Sequence, residues 1–80
     1  MATVHVELED DALLALLQRL RREGWRIEDV TPLPTIGDVY EARRGALVIT
    51  VHREEFGFAG AAWGPADAMA AAGLTPAESA

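Results

Sequence analysis

A His-x-Glu pattern that occurs twice is the part of the sequence with the character of a metal site. It reads His5-Val6-Glu7 near the start of the chain and His52-Arg53-Glu54 further on. Side chains two positions apart on a β-strand point to the same face, so each pair offers an imidazole beside a carboxylate. If the first and fourth strands were neighbours, four ligands would surround a zinc- or iron-like ion: His5, Glu7, His52 and Glu54. The alternative is that these are ordinary polar residues on the solvent side of a half-buried strand.

The inventory of reactive side chains argues against catalysis. The chain lacks cysteine, lysine and asparagine, and its only serine is Ser79. A thiolate or internal serine nucleophile, a Schiff-base lysine and the lysine of a phosphate-binding loop are therefore excluded. The carboxylates near the first helix lie at its N-terminus, which favours their ionised form rather than a proton-donating one. We expect no enzymatic activity and no cofactor.

The composition is that of one small globular domain. The chain has 80 residues, of which 50% are hydrophobic and 25% charged, and a formal net charge of −6. Without cysteine, neither disulfides nor thiolate metal sites can support its small core. No apolar run approaches the roughly 18 residues that span a bilayer, and the acidic, alternating N-terminus is unlike a signal peptide. We expect a cytoplasmic protein that does not contact membranes.

The first two elements are predicted most clearly. Residues 3–8 alternate between apolar and polar side chains, which predicts a half-buried strand. Four leucines then follow at helical spacing, and they predict a helix from about Asp11 to Glu23 with Asp10 as its N-cap. Gly24 should end this helix in a left-handed conformation, so that Trp25 folds back onto the leucines.

The rest of the chain predicts a hairpin and a second helix. A strand begins at Trp25, and two prolines (Pro32 and Pro34) then turn it into an extended edge or a connection. Residues 39–43 and 46–53 read as a hairpin closed around Arg44-Gly45. Residues 56–63, which include Phe56, Phe58 and Trp63, fit a turn and a short strand through about Trp63, or else a loop. A short helix should then start at Gly64-Pro65 and run to Ala72.

These elements predict an α+β fold. We expect a small, mainly antiparallel sheet of three or four strands in the order β-α-β-β-(β)-α. One long amphipathic helix should pack on one face of this sheet, and a short helix should follow at the C-terminus. Residues 1–74 should form a single domain, with residues 75–80 as a flexible tail.

Basic residues occur in two groups, which raises the question of nucleic-acid binding. Arg19, Arg21, Arg22 and Arg26 surround Trp25, and Arg43-Arg44 lie at the predicted hairpin tip. The net charge of −6 opposes attraction of a polyanion over long distances. The dipole of the first helix already accounts for arginines near its C-terminus. Nucleic acid is therefore not the expected partner.

Acidic residues near the N-terminus indicate a protein partner instead. No basic residue precedes Arg19, so the acidic segment can steer the domain to a basic surface on another protein, or to the arginine-rich end of a second copy. Two residues on the far side of the fourth strand are also less polar than a solvated face requires. The predicted partner-binding residues are Glu7, Glu9, Asp10, Asp11, Val48 and Thr50.

Two function classes follow from these patterns. In size, acidity and shortage of catalytic groups, the chain is similar to small phage-encoded inhibitors and immunity-type proteins. This similarity implies a non-catalytic regulator, inhibitor or adaptor that binds another protein. The alternative is a small-ligand or metal-binding protein, or an accessory enzyme subunit, that uses the two His-x-Glu pairs. The discriminating feature is whether His5 and His52 lie on adjacent strands and face the same way.

Overall fold

The computed structural model describes residues 3–31, 37–54 and 59–74, and these contain five strands and two helices. In chain order the elements are β1 (Thr3–Glu9), α1 (Asp10–Arg22), β2 (Arg26–Asp29), β3 (Asp38–Arg44), β4 (Leu47–Arg53), β5 (Ala59–Pro65) and α2 (Ala66–Ala71). The strands form one sheet in the order β1-β5-β4-β3-β2, and every neighbouring pair is antiparallel. The α+β class and the antiparallel sheet are thus confirmed. The predicted tail at 75–80, and Phe56 and Phe58, lie outside the described residues.

The expected sheet of three or four strands was too small. Residues Ala59–Pro65 form a complete strand that ends two residues beyond Trp63, and this strand pairs with β1 on one side and β4 on the other. Residues Arg26–Asp29 also form a true edge strand on β3. Backbone pairing overrides the irregular side-chain pattern of both segments, because a strand is stabilised chiefly by its neighbours.

Helix α1 has 13 residues, so the single long helix that we expected is instead a helix of moderate length. Its apolar stripe is buried as predicted, in the core residues Leu13, Leu16, Leu17 and Leu20. Gly24 has a φ of 89°, and the backbone N–H of Trp25 donates to the carbonyl of Leu20 at 2.9 Å. These features end the helix and bury Trp25 beneath it. Within the described ranges, neither helix has the length and apolar character needed to cross a membrane.

The β3–β4 hairpin turns one residue later than predicted. Its two central residues are Gly45 and Ala46, and Gly45 has a φ of 62°. Glycine with positive φ at the first central position is the arrangement of a type II′ turn. The faces of β4 are as predicted, because Ile49 and Val51 are fully buried in the core.

Small residues on β5 let the helices approach the sheet closely. Gly60, Ala62 and Gly64 alternate along this strand, and Ala62 is part of the core that both helices cover. A methyl group built on Gly60 would come within 3.0 Å of Leu13 of α1 and of the His52 carbonyl oxygen of β4. Glycine at this position therefore permits the observed spacing between helix and sheet.

Candidate functional site

The side of the sheet opposite the helices is the candidate site, and we call it the open face. Both helices pack on the other side, where alternate residues of the strands join the hydrophobic core. The intervening side chains therefore point away from the helices. The open face includes Thr3, His5, Glu7 and Glu9 of β1, Ala61 and Trp63 of β5, Val48, Thr50 and His52 of β4, Val39, Glu41 and Arg43 of β3, and Arg26 and Glu28 of β2.

An aromatic pair lies toward the β1 side of the open face. His5 and Trp63 are direct neighbours across β1 and β5, and their rings stack with centroids 5.8 Å apart and planes inclined by 15°. Thr50 is the neighbour of Trp63 on the other side. Trp63, Thr50 and Val48 are each half-buried, so the open face offers apolar surface that no described element covers.

Charge on the open face is unevenly distributed. On β2 and β3, Arg26 lies 3.6 Å from Glu28, and Arg43 forms an ion pair with Glu41. On β1, Glu7 and Glu9 are exposed and have no ion-pair or hydrogen-bond partner among the described residues. The β1 side of the face is therefore negatively charged, while the opposite side is nearly neutral.

The predicted partner-binding residues fall into two groups. Glu7, Glu9, Val48 and Thr50 all lie on the open face, as part of strands that pair through β5. Asp11 is exposed in the first turn of α1, next to Glu9 in the chain. The Asp10 carboxylate instead forms an ion pair with Arg53, so it would have to leave this pair to contact a partner.

Asp10 does not cap helix α1, contrary to our expectation. The N-cap is Glu9, which makes no capping bond with its side chain. The Asp10 carboxylate instead accepts two hydrogen bonds from Arg53, at 2.7 Å from Nε and 3.3 Å from Nη2. A bidentate, charge-assisted contact with arginine is stronger than a single bond to a backbone amide. The hydrogen bond from Arg53 also lowers the pKa of Asp10.

The strand adjacency required for the metal site is absent. β5 lies between β1 and β4, so His5 faces Trp63 and His52 faces Ala61 across the sheet. Glu7 is likewise opposite Ala61, and Glu54 is an exposed residue beyond the end of β4. Among the described residues, no group of three or more His, Cys, Asp or Glu side chains is arranged to hold a metal ion.

The pKa shifts that the structure produces move groups away from neutral pH. The pKa of Asp29 is lowered because its carboxylate accepts hydrogen bonds from the hydroxyl and backbone N–H of Thr31. The pKa of Tyr40 is raised, mainly by burial and also by the nearby charges of Asp38 and Asp29. General acid–base catalysis works best with a pKa near the operating pH, so none of these shifts prepares a group for such chemistry.

The two arginine groups converge at one end of the sheet. Arg26 and Arg43 are cross-strand neighbours on β2 and β3, and the Arg44 guanidinium lies 4.9 Å from the centre of the Trp25 ring. Arg19 donates a hydrogen bond of 2.8 Å to the carbonyl of Ala72 at the end of α2. These contacts are within the fold, so these arginines have structural roles in addition to the helix-dipole role expected for those near the end of α1.

Trp63 is the central residue of the site that the sequence prediction did not include among its binding residues. Residues 60–62 and 64 of β5 are all glycine or alanine, on both sides of the strand, so side-chain size marks neither face and Trp63 differs only as the one large residue. The side on which Trp63 lies follows from the pairing of β5 with β1 and β4. Its partner His5 was identified, but as a metal ligand.

Comparisons of this chain with protein-family models, with curated proteins and with solved structures each find no match.

Proposed function

We propose that this chain is a non-catalytic protein-binding module, a small acidic regulator, inhibitor or adaptor that acts in the cytoplasm. In this proposal it docks through the open face on a protein surface that carries basic residues. The lack of cysteine is consistent with a reducing compartment.

The observation that carries the proposal is the combination of a half-buried tryptophan, stacked on an exposed histidine, with unpaired acids on one uncovered sheet face. Tryptophan is enriched among the residues that contribute most to binding free energy at interfaces. Exposed charges at the border of such a surface speed association with an oppositely charged partner. Trp63 with His5 fits the first role, and Glu7 with Glu9 fits the second.

The arginines of the open face favour a different protein over a second copy docked face to face. Arg26 and Arg43 are both already paired with glutamates on their own strands. A second copy docked face to face would therefore bring no unpaired arginine of that face to Glu7 and Glu9. A foreign basic surface has no such restriction.

The proposal is tested by photo-crosslinking followed by affinity measurement. A photoreactive residue is placed at Thr50 on the open face, and in a matched control at Leu14, an apolar residue of α1 that is 39% exposed. Partners crosslinked in the host from position 50 but not from position 14 are identified and purified. Their affinity is then measured for the wild type, for Trp63→Ala and for Leu14→Ala.

We expect Trp63→Ala to weaken binding by about thirtyfold or more, the effect of a residue that dominates an interface. Leu14→Ala should change the affinity by less than about threefold. Charge reversal of Glu7, Glu9 and Asp11 together should slow association and reduce its salt dependence. The proposal fails if folded Trp63→Ala binds every identified partner as tightly as the wild type.

A further inference from the structure

We infer that the free edge of β1 accepts an extended segment of the partner as a sixth strand, and that this segment alternates aliphatic and basic residues. The inference rests on the proposed function and names the chemistry of the partner. It follows from the position of β1 in the sheet, from the incomplete burial of its helix-side residues and from the charge of its open-face residues.

The edge position of β1 provides the hydrogen-bonding groups. β1 is the outermost strand of the sheet, and all seven of its residues pair with β5 on its inner side. None of the described segments pairs with its outer side. An edge strand presents a row of backbone donors and acceptors that an added strand can satisfy. The other edge strand, β2, has only four residues and offers a much shorter row.

The helix side of β1 specifies aliphatic residues. Val4, Val6 and Leu8 pack against the core but remain only partly buried, whereas Ile49 and Val51 on the central strand β4 are fully buried. The core is therefore open along the β1 edge. Alternate residues of an added strand would lie beside these three side chains and cover their exposed surface.

The open face of β1 specifies basic residues and opposes self-pairing. In an added strand, every second side chain would point to the open face. These side chains would lie beside Glu7 and Glu9. Opposite charges at such cross-strand positions are stabilising, and like charges directly opposite each other are destabilising. Pairing of the β1 edges of two copies would place four glutamates on the same face of the new strand pair. A foreign strand with arginine or lysine at alternate positions is therefore the occupant that the edge favours.

The test uses a peptide as long as β1 that alternates arginine and valine, with both ends blocked. One control peptide has the same residues but N-methyl groups at alternate positions, which removes strand hydrogen bonds and keeps the charge. A second control groups the valines and arginines in two blocks. Binding is measured by NMR titration of the wild type and of two double variants with equal charge changes, Glu7→Gln/Glu9→Gln and Glu23→Gln/Glu54→Gln.

We expect the alternating peptide to perturb the amide signals of β1 and to protect them from hydrogen exchange. N-methylation should weaken binding at least about tenfold, and the block peptide should bind similarly weakly. Glu7→Gln/Glu9→Gln should weaken binding about fivefold, while the control variant should stay within about twofold. Equal affinity for the alternating and N-methylated peptides would overturn the inference, as would dimers of the free protein in sedimentation that protect the β1 amides from hydrogen exchange. Docking through Trp63 would remain testable in either case, because its experiment does not use these peptides.

Discussion

Gly60 determines how closely α1 and β4 approach β5, and Gly60→Ala should therefore be strongly destabilising. The added methyl group would come within 3.0 Å of both the Leu13 side chain and the His52 carbonyl oxygen. Leu13 is fully buried and the carbonyl belongs to the central strand, so neither atom can move without disturbing its neighbours. Overpacking of this kind costs about 1–3 kcal/mol, and displacement of the strand would weaken about one backbone hydrogen bond, or ~1 kcal/mol more.

A small gain opposes this cost. Replacing glycine by alanine reduces the entropy of the unfolded chain, which stabilises the fold by about 0.4–1 kcal/mol. The net loss of unfolding free energy is then about 1–4 kcal/mol. A domain of this size has a total of roughly 4–12 kcal/mol, so the loss is a substantial fraction. With a urea m-value of about 1 kcal/mol/M, the midpoint should fall by about 1–4 M.

The assay is urea unfolding followed by circular dichroism, with Gly64→Ala as the matched control on the same strand. A methyl group on Gly64 would lie 3.0 Å from Ile49 Cγ2 and from the Val48 carbonyl oxygen, so these neighbours need to give by only a few tenths of an ångström, less than at Gly60. We expect Gly64→Ala to change the unfolding free energy by less than about 1 kcal/mol. If Gly60→Ala costs no more than Gly64→Ala, the reasoning from close approach is refuted.

Three further predictions concern titration and metal. Because the pKa of Asp10 in the folded state lies below its ordinary value of 3.8, its pair with Arg53 stabilises the fold above that pH, and the contribution is lost as the pH falls through the folded-state pKa. Asp10→Asn should therefore reduce the acid-induced fall in Tm between pH 5 and pH 2, and an unchanged fall would contradict the role of this pair. Since burial raises the pKa of Tyr40 above 10.0, its ultraviolet titration should have a midpoint above that pH, and stability should fall as the pH rises through it; a midpoint at or below 10.0 would contradict its burial. Zinc and chelator should give equal Tm values, because β5 separates the two His-x-Glu pairs; a rise in Tm with zinc that His5→Ala abolishes would contradict the strand order.

Local patterns in the sequence were sufficient to predict the elements that are stabilised by contacts between residues close together in the chain. The leucine stripe, the glycine after it and the folding back of Trp25 all involve residues within one helix and its cap. The alternation of β1 and β4 likewise indicated which side chains are buried. Each of these features depends on the period of a helix or strand, which can be read along the chain.

Features that depend on distant residues were missed. The metal site required β1 beside β4, and the position of β5 between them follows from pairings that no local pattern encodes. The prediction that Asp10 caps α1 was wrong because its carboxylate accepts hydrogen bonds from Arg53, which is separated from it by 43 positions. The docking role of the open face, its acids and Trp63 stays a prediction.

The strand order also has a consequence for synthesis of the protein. β1 is synthesised before the other four strands, but it joins the sheet only through β5. The pairing of Thr3 with Pro65 therefore cannot form until β5 has been synthesised. The pairs β2–β3 and β3–β4 are local and can form as the chain emerges, whereas the β1–β5 pairing closes a long loop and is intrinsically slow. Until β5 leaves the ribosome, the leucine stripe of α1 has no complete sheet to cover. The apolar stripe of α1 is therefore fully covered only once the β1–β5 pairing has formed.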